Sequence, residues 1–354
     1  MSRANTAAEI IGSISLFEGL APSDIEGVLC VCERVEFEPG ASLMRQGQPA
    51  DSAFILESGS ADVTTRLPGG GEAGVATLGP GSVIGEMALL DSGLRSASVV
   101  AREPVAGYFL ERDGFHMMLA QRNHAAFSMQ SRITRTLCRR LRELNGRIIA
   151  SDAPENVAPV AKETGGSSEA PRPARPSFDY RAFLAVLPLF RDFSSAEIET
   201  LAGLSQALEV GRGQHLFRQG EAAEACHVVV RGAIEVTGVQ NGLRHRVGVL
   251  GPGRLCGVNA LIEGRPHSLS AVARERATLL EIGRAAFDRL FAGTDRVAAK
   301  FQGAISRELL QALARTNNHL TRLISQSRIR GGRKDRKHAE ELQRALATED
   351  CRTA

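Results

Sequence analysis

The sequence predicts an α+β, mainly β protein: two tandem β-jelly-roll domains, each flanked by helices and followed by a C-terminal helix. Three observations carry this. The chain repeats itself at a nearly constant offset, each copy reads as short strands with closely spaced turn signals, and each copy ends in an amphipathic helical stretch. Its 354 residues also exceed the ordinary size of one hydrophobic core, which fits two domains rather than one.

The repeat is read directly. Leu43 to Val63 (LMRQGQPADSAFILESGSADV) aligns with Leu216 to Val236 (LFRQGEAAEACHVVVRGAIEV) at an offset of 173, which puts Arg45-Gln46-Gly47 against Arg218-Gln219-Gly220 and Gly59 against Gly232. Leu16-Phe17 and Ser23-Asp24-Ile25 find Leu189-Phe190 and Ala196-Glu197-Ile198 at the same offset. Past the glycine-rich turn at Pro68 to Gly71 the offset falls to 172, matching Gly79-Pro80-Gly81 with Gly251-Pro252-Gly253, Gly85 with Gly257 and Phe115 with Phe287. A one-residue deletion in a surface turn is where such changes are tolerated.

The domains follow in order. Residues 1–150 form the first copy with its helix. Residues 151–180 are rich in Pro, Ser, Gly, Ala and Glu without apolar periodicity and read as a flexible linker. Residues 181–325 form the second copy with its helix, and 326–354 a basic tail. Within a copy, runs such as Ser52 to Glu57 followed by Ser58-Gly59 read as alternating strands closed by turns, the signature of a sandwich or jelly roll. After the first barrel, Met129, Ile133, Leu137, Leu141, Leu144 and Ile148 recur every three or four residues, with Arg132, Arg135, Arg139 and Arg142 on another face. Phe301, Ile305, Leu309, Leu313, Leu320 and Leu323 do the same after the second. Each stripe packs on its own barrel or forms the seam of a homodimer.

Composition sets bounds. Charged residues are 23% and apolar residues 43%, which is neither a membrane nor a disordered composition. A net charge of +3 from 43 basic and 40 acidic residues implies no nucleic acid by bulk charge. Fourteen Phe, two Tyr and no Trp argue against a surface that stacks many bases. Six cysteines without paired CxxC spacing fit a reducing compartment, no metal site is expected, and no run has the length of a transmembrane helix or of a signal peptide's apolar core, so a cytoplasmic protein is expected. Neither a G-x-S-x-G elbow nor a Walker A loop occurs, and the eight histidines are scattered. No catalytic residues are expected. His227, inside an apolar strand, reads as a satisfied core histidine.

The densest glycine signal is residues 79–101, GPGSVIGEMALLDSGLRSASVVA. A short helix opening at Gly85-Glu86 aims backbone N–H groups and its positive end at an anion, and Arg95, nine residues after Glu86, offers a fork suited to paired phosphate oxygens. Beside a phosphate a carboxylate is out of place unless it accepts from a sugar hydroxyl, so the ligand implied is a phosphate next to a ribose.

With Gly85-Glu86-Met87-Ala88-Leu89-Leu90 followed by Leu94-Arg95-Ser96-Ala97, the stretch resembles the phosphate-binding cassette of cyclic nucleotide-binding domains. The resemblance implies Glu86 on the ribose 2′-hydroxyl, Arg95 on the cyclic phosphate, the N–H groups of Gly85 and Ala88 near the phosphate, and Ser96 as a further donor, with Met87, Leu89 and Ala97 completing the cassette. Leu94 departs from the family's usual Pro. The family covers the base with an apolar residue from the helix after the barrel, for which Leu137 and Leu141 are the candidates, and a helix beginning near Asn123 would be the moving output. Ser96 after the arginine resembles bacterial cyclic-AMP receptors, favouring cAMP over cGMP.

The second cassette, GPGRLCGVNALIEGRPHSLSAVA (251–273), has Val258 at the place of Glu86 and His267 at that of Arg95. Arg265, before Pro266, lies two positions early. An anion buried without its cation costs several kcal/mol, enough to erase micromolar binding, so one nucleotide per chain is expected. The second copy then serves packing, partner contact or a different ligand. If the second helix ends near Ser325, 29 residues follow it, too few for a winged helix-turn-helix, so sequence-specific DNA binding is not expected. The tail cluster Arg328, Arg330, Arg333, Lys334, Arg336 and Lys337 reads as a solvated face or as a contact for an acidic partner, a membrane surface or nucleic acid. Two functions follow: a receptor regulating an unidentified effector protein, or an interaction scaffold with a relic cassette.

Overall fold

The computed structural model describes residues 12, 14, 16–66, 72–150, 157–159, 172–173 and 180–330; the turn at Pro68 to Gly71, most of the linker and the tail from 331 lie outside them, as do the side chains of 324–330. Two compact units divide at Ile133/Thr134, the second running to Arg330. Two sets of antiparallel sheets with flanking helices make the fold mainly β.

In the first unit, helix α1 (Pro22–Leu29) opens with Pro at its first turn and is followed by β1 (Glu33–Phe37), β2 (Ser42–Met44), β3 (Pro49–Ala50), β4 (Ser52–Ser58), β5 (Ala61–Arg66), β6 (Glu72–Leu78) and β7 (Val83–Ile84). After a 3-10 turn at Glu86–Leu89 come β8 (Gly93–Leu94), β9 (Ser98–Ala101) and β10 (Val105–Glu111), then α2 (Arg112–Ala120) and α3 (His124–Ala150). One sheet orders β1-β10-β4-β7, its mate β2-β9-β5-β6, and β3 pairs β8. Phe54, Leu56, Val63, Ile84 and Val99 fill the space between the sheets, with Phe54 wholly buried between the rings of Phe37 and Phe109. Alternation does not survive in β4: its first five residues are all buried, because the 3-10 turn packs on the strand's other face.

Asn123 caps α3, its side-chain oxygen accepting from the N–H of Ala126 at 3.1 Å, as a short polar residue ahead of an apolar period should. The stripe from Met129 to Ile148 is buried along its length.

The second unit contains the rest of α3, the backbone pairs β11 (Val157–Pro159) and β12 (Arg172–Pro173), α4 (Tyr180–Leu184) and α5 (Ser195–Gly203). Its barrel is β13 (Gln206–Val210), β14 (His215–Phe217), β15 (Ala225–Arg231), β16 (Ile234–Gln240), β17 (Leu243–Leu250), β18 (Leu255–Cys256), α6 (Val258–Glu263), β19 (Ser270–Ala273) and β20 (Ala277–Gly283), closed by α7 (Arg284–Ala292) and α8 (Arg296–Arg330). The sheets order β11-β17-β16-β19-β14 and β12-β13-β20-β15-β18. Two pieces of the segment read as linker therefore add edge strands to these sheets.

Within this unit the C-terminal part of α3 packs on the second barrel. Arg135 donates to the Ile262 carbonyl at 2.8 Å, Arg142 donates through Nε to Glu263 at 2.6 Å, and Thr134 and Ser306 share a hydroxyl hydrogen bond at 2.9 Å. Helix α8 is described as far as Arg330, five residues beyond Ser325.

The repeat has a structural cause. Gln46 accepts from the Arg66 N–H and Gln219 from the Val239 N–H, both at 2.7 Å, fastening the Arg-Gln-Gly turn to β5 and β16. The following glycine donates to the carbonyl of cassette position 95 or 267, at 2.9 and 2.8 Å. Arg112 and Arg284 donate to the carbonyl two residues ahead of β4 and β15, those of Ala50 and Ala223. Gly59 and Gly232 take φ of +84° and +89°, where a Cβ would strike Pro104 and Ala277. What repeats in sequence is largely what holds the cassette loop against the barrel.

Candidate nucleotide site and its degenerate copy

Gly85 has φ +75° and ends β7 by turning the chain into the 3-10 turn Glu86–Leu89. A Cβ there would collide with the Arg95 guanidinium and lie 3.3 Å from the Ser52 carbonyl, so glycine is required both for the left-handed backbone and for the arginine's approach. Arg95 sits 9% exposed with Nη1 donating to the Ser52 carbonyl at 2.7 Å and Nη2 to the Ser52 hydroxyl at 2.9 Å and to Asp51 at 3.4 Å. Burial lowers its pKa from the ordinary value, and Asp51 opposes that. A guanidinium keeps its charge regardless, and with five N–H donors and three contacts it has two for an incoming anion among the described residues.

Glu86 is 7% exposed, with both carboxylate oxygens buried. Met87 is partly buried, and Ala88, Leu89 and Ala97 are buried, anchoring the cassette to the barrel. The N–H of Ala88 donates to the Gly85 carbonyl at 3.0 Å and closes the turn. Ser96 is exposed, and Leu94, at 69% exposure, pairs in β8 with Pro49 without a packed side chain.

Leu137 and Leu141 both fall in the second compact unit. Leu137 is wholly buried, and Leu141 is buried beside that unit's own cavity. Sequence reasoning missed Asp51 and Ser52, which orient Arg95.

The second copy keeps the cradle and changes its contents. Gly257 has φ +85°, and a Cβ there would again lie 3.3 Å from a strand carbonyl, that of Ala225, but 3.2 Å from the His267 ring and 3.1 Å from that of Phe217. These two rings stack at 3.7 Å and 8°. Burial, with His227 nearby, pushes the His267 pKa down to about 4, so the imidazole is neutral at pH 7. Val258 is 3% exposed, and Arg265 is exposed and does not turn inward. His227 hydrogen-bonds Glu281 at 3.1 Å in the core of β15.

The described residues contain no group of three or more His, Cys, Asp or Glu able to hold a metal, and no helix among them is long and apolar enough to cross a membrane.

The left-handed glycine cradle is built twice, and an arginine and a carboxylate stand in the first copy alone. The sequence profile of the Cyclic nucleotide-binding domain matches residues 34–122 and 207–294, and the chain belongs to that family, with two copies of its domain. A CRP-like cAMP-activated global transcriptional regulator of Mycobacterium tuberculosis is 29% identical over 153 residues, 42% of this chain and 66% of that protein. A cAMP-dependent protein kinase regulatory subunit of Mycosarcoma maydis is 24% identical over 296 residues, 79% of this chain and 47% of the relative. The acetyltransferase Pat of Mycolicibacterium smegmatis is 38% identical over 109 residues, 31% of this chain and 32% of the enzyme. The chain thus spans less than two thirds of the length of each of these relatives.

Proposed function

We propose that the protein is a non-catalytic cyclic nucleotide receptor, taking cAMP in preference to cGMP in its first copy and using the helix that begins after Asn123 to regulate a partner protein. The observation that supports this best is the buried, pre-oriented Arg95 opposite Gly85, with Glu86 in the same cassette. A cation already held by Ser52 need not be ordered when the phosphate arrives, which lowers the entropic cost of binding. Glu86 then reads the ribose hydroxyl. Ligand binding shifts the population of α3 positions only by its differential affinity for them, so the coupling should appear as ligand-dependent exchange protection at the start of that helix.

Isothermal titration calorimetry of the full chain tests the reading. One equivalent of cAMP is expected, with weaker cGMP binding, and loss of both in Arg95→Leu. Two equal sites, or binding that survives Arg95→Leu, overturns it. Capture of a partner from lysate with and without cAMP then tests the regulatory output; the regulatory subunit and the transcription regulator matched above support such an output, and the acetyltransferase match makes an enzyme a partner class to examine.

A further inference from the structure

Between Glu235 and Glu263 the sequence has no Asp or Glu, and between Glu308 and Asp335 it again has none, in a chain that otherwise keeps basic and acidic residues near balance. The fold brings the two stretches together: α8 reaches β17, where His319 donates through Nδ1 to the Val247 carbonyl at 3.1 Å. Of their arginines, Arg254 and Arg315 share the carboxylate of Glu308, at 2.8 and 2.9 Å. Arg246 on β17 and Arg322 on α8 are exposed, and Arg244 is half-buried. Strands β16 and β17 form a hairpin closed by Asn241-Gly242, whose φ of +53° and +73° suit a tight two-residue turn. Every residue of the tip from Val239 to Leu243 is exposed, and two of them are large aliphatics, Val239 at 38% and Leu243 at 36%. The ladder register sets Val239, Arg244 and Arg246 on one face of the hairpin. Gln219 accepts from the Val239 N–H at 2.7 Å, so that backbone donor needs no water. The matching strand of the first copy, β6, carries no Lys or Arg and begins with Glu72, so the patch is not a property of the shared fold.

We propose that this hairpin docks the protein on an anionic phospholipid surface, with Val239 and Leu243 entering the boundary between headgroups and acyl chains and Arg244, Arg246 and Arg322 facing the phosphates. Stable attachment to a bilayer takes an apolar and a basic signal together, and the hairpin carries both. Nucleic acid would meet the same cations, but it gains nothing from the exposed aliphatics and draws its affinity from more phosphate contacts than these arginines make. In sequence the acid-free run continues past Arg322 through Arg328, Arg330, Arg333 and Lys334, with the same sign of charge. No residue of the nucleotide cassette takes part.

Sedimentation of the full chain with sucrose-loaded vesicles tests this, using phosphatidylcholine alone and phosphatidylcholine with about a third phosphatidylserine. Binding to the anionic vesicles is expected to be about tenfold tighter or more, and to fall as added salt shortens the Debye length. Val239→Ser combined with Leu243→Ser, and separately Arg246→Glu, should each weaken it about fivefold or more. Arg212→Glu makes the same change of charge in the exposed turn before β14, at the far edge of the sheet, and should alter binding less than about twofold. Arg95→Leu and added cAMP should leave it unchanged, which separates this surface from the nucleotide receptor reading. All the substituted hairpin positions are exposed, and circular dichroism establishes that each variant is folded. Equal binding to neutral vesicles, equal effects of Arg212→Glu and Arg246→Glu, binding that survives both the serine pair and Arg246→Glu, or retention of duplex DNA without retention of vesicles overturns the proposal.

Discussion

At the scale of single residues, the site rests on how one guanidinium is held. Gly85→Ala forces a Cβ into a left-handed backbone and into the Arg95 guanidinium. The backbone penalty of roughly 1–2 kcal/mol lowers stability, and displacement of the guanidinium should weaken cAMP binding about fivefold or more while the barrel still folds. Calorimetry beside a thermal melt separates the two effects, and unchanged affinity would dismiss the cradle. The equivalent position in the second copy carries a pH signature. The folded protein keeps His267 neutral down to about pH 4, whereas an unfolded chain protonates it near 6.5. Its contribution to folding is therefore intact above pH 6.5 and declines as pH falls toward 4. His267→Phe, which preserves a ring against Phe217, should lose less stability over that interval than the parent in urea denaturation; identical losses would show that the imidazole is not the group responsible. The cassette itself was legible because its residue types and spacing agree. Asp51 and Ser52 were not, since nothing local marks a carbonyl that an arginine 43 positions later will use.

Among the elements, α3 shows what periodicity can and cannot say. Its start at Asn123, its amphipathic stripe and its length follow from capping chemistry and apolar spacing. What the stripe packs against does not follow, because a helix face is equally apolar toward either barrel; Arg142 to Glu263 and Ile149 over Gly238 settle it for the C-terminal part. Helix α8 is described as far as Arg330, beyond the last residue of its regular apolar stripe. Replacing the cap, Asn123→Ala, should destabilise α3 by about 1 kcal/mol. Hydrogen exchange at Ala126 and Phe127 should accelerate about fivefold, with later turns little changed; uniform acceleration along the helix would mean the cap is not local in effect.

For the whole molecule, the repeat at offset 173 revealed the architecture before any strand was placed, since the Arg-Gln-Gly turn, the paired glycines and the arginine after β10 serve one purpose in both copies. Gln46→Ala should show the purpose directly. The loss of its hydrogen bond to β5 should loosen the turn that holds position 95 and weaken cAMP binding about threefold to tenfold, while Gln219→Ala leaves cAMP affinity unaltered. Equal effects of the two substitutions would contradict a receptor with one nucleotide site.

The ring stack of Phe217 on His267 has a consequence for how the two copies can be interconverted. Changing His267 to arginine alone leaves the phenyl ring where a guanidinium must lie, changing Phe217 alone leaves a neutral ring facing the anion, and neither restores the carboxylate missing at Val258. Each single step on the path between the copies therefore passes through a protein that reads nothing at that position. The barrier is one of mutational order rather than of energy.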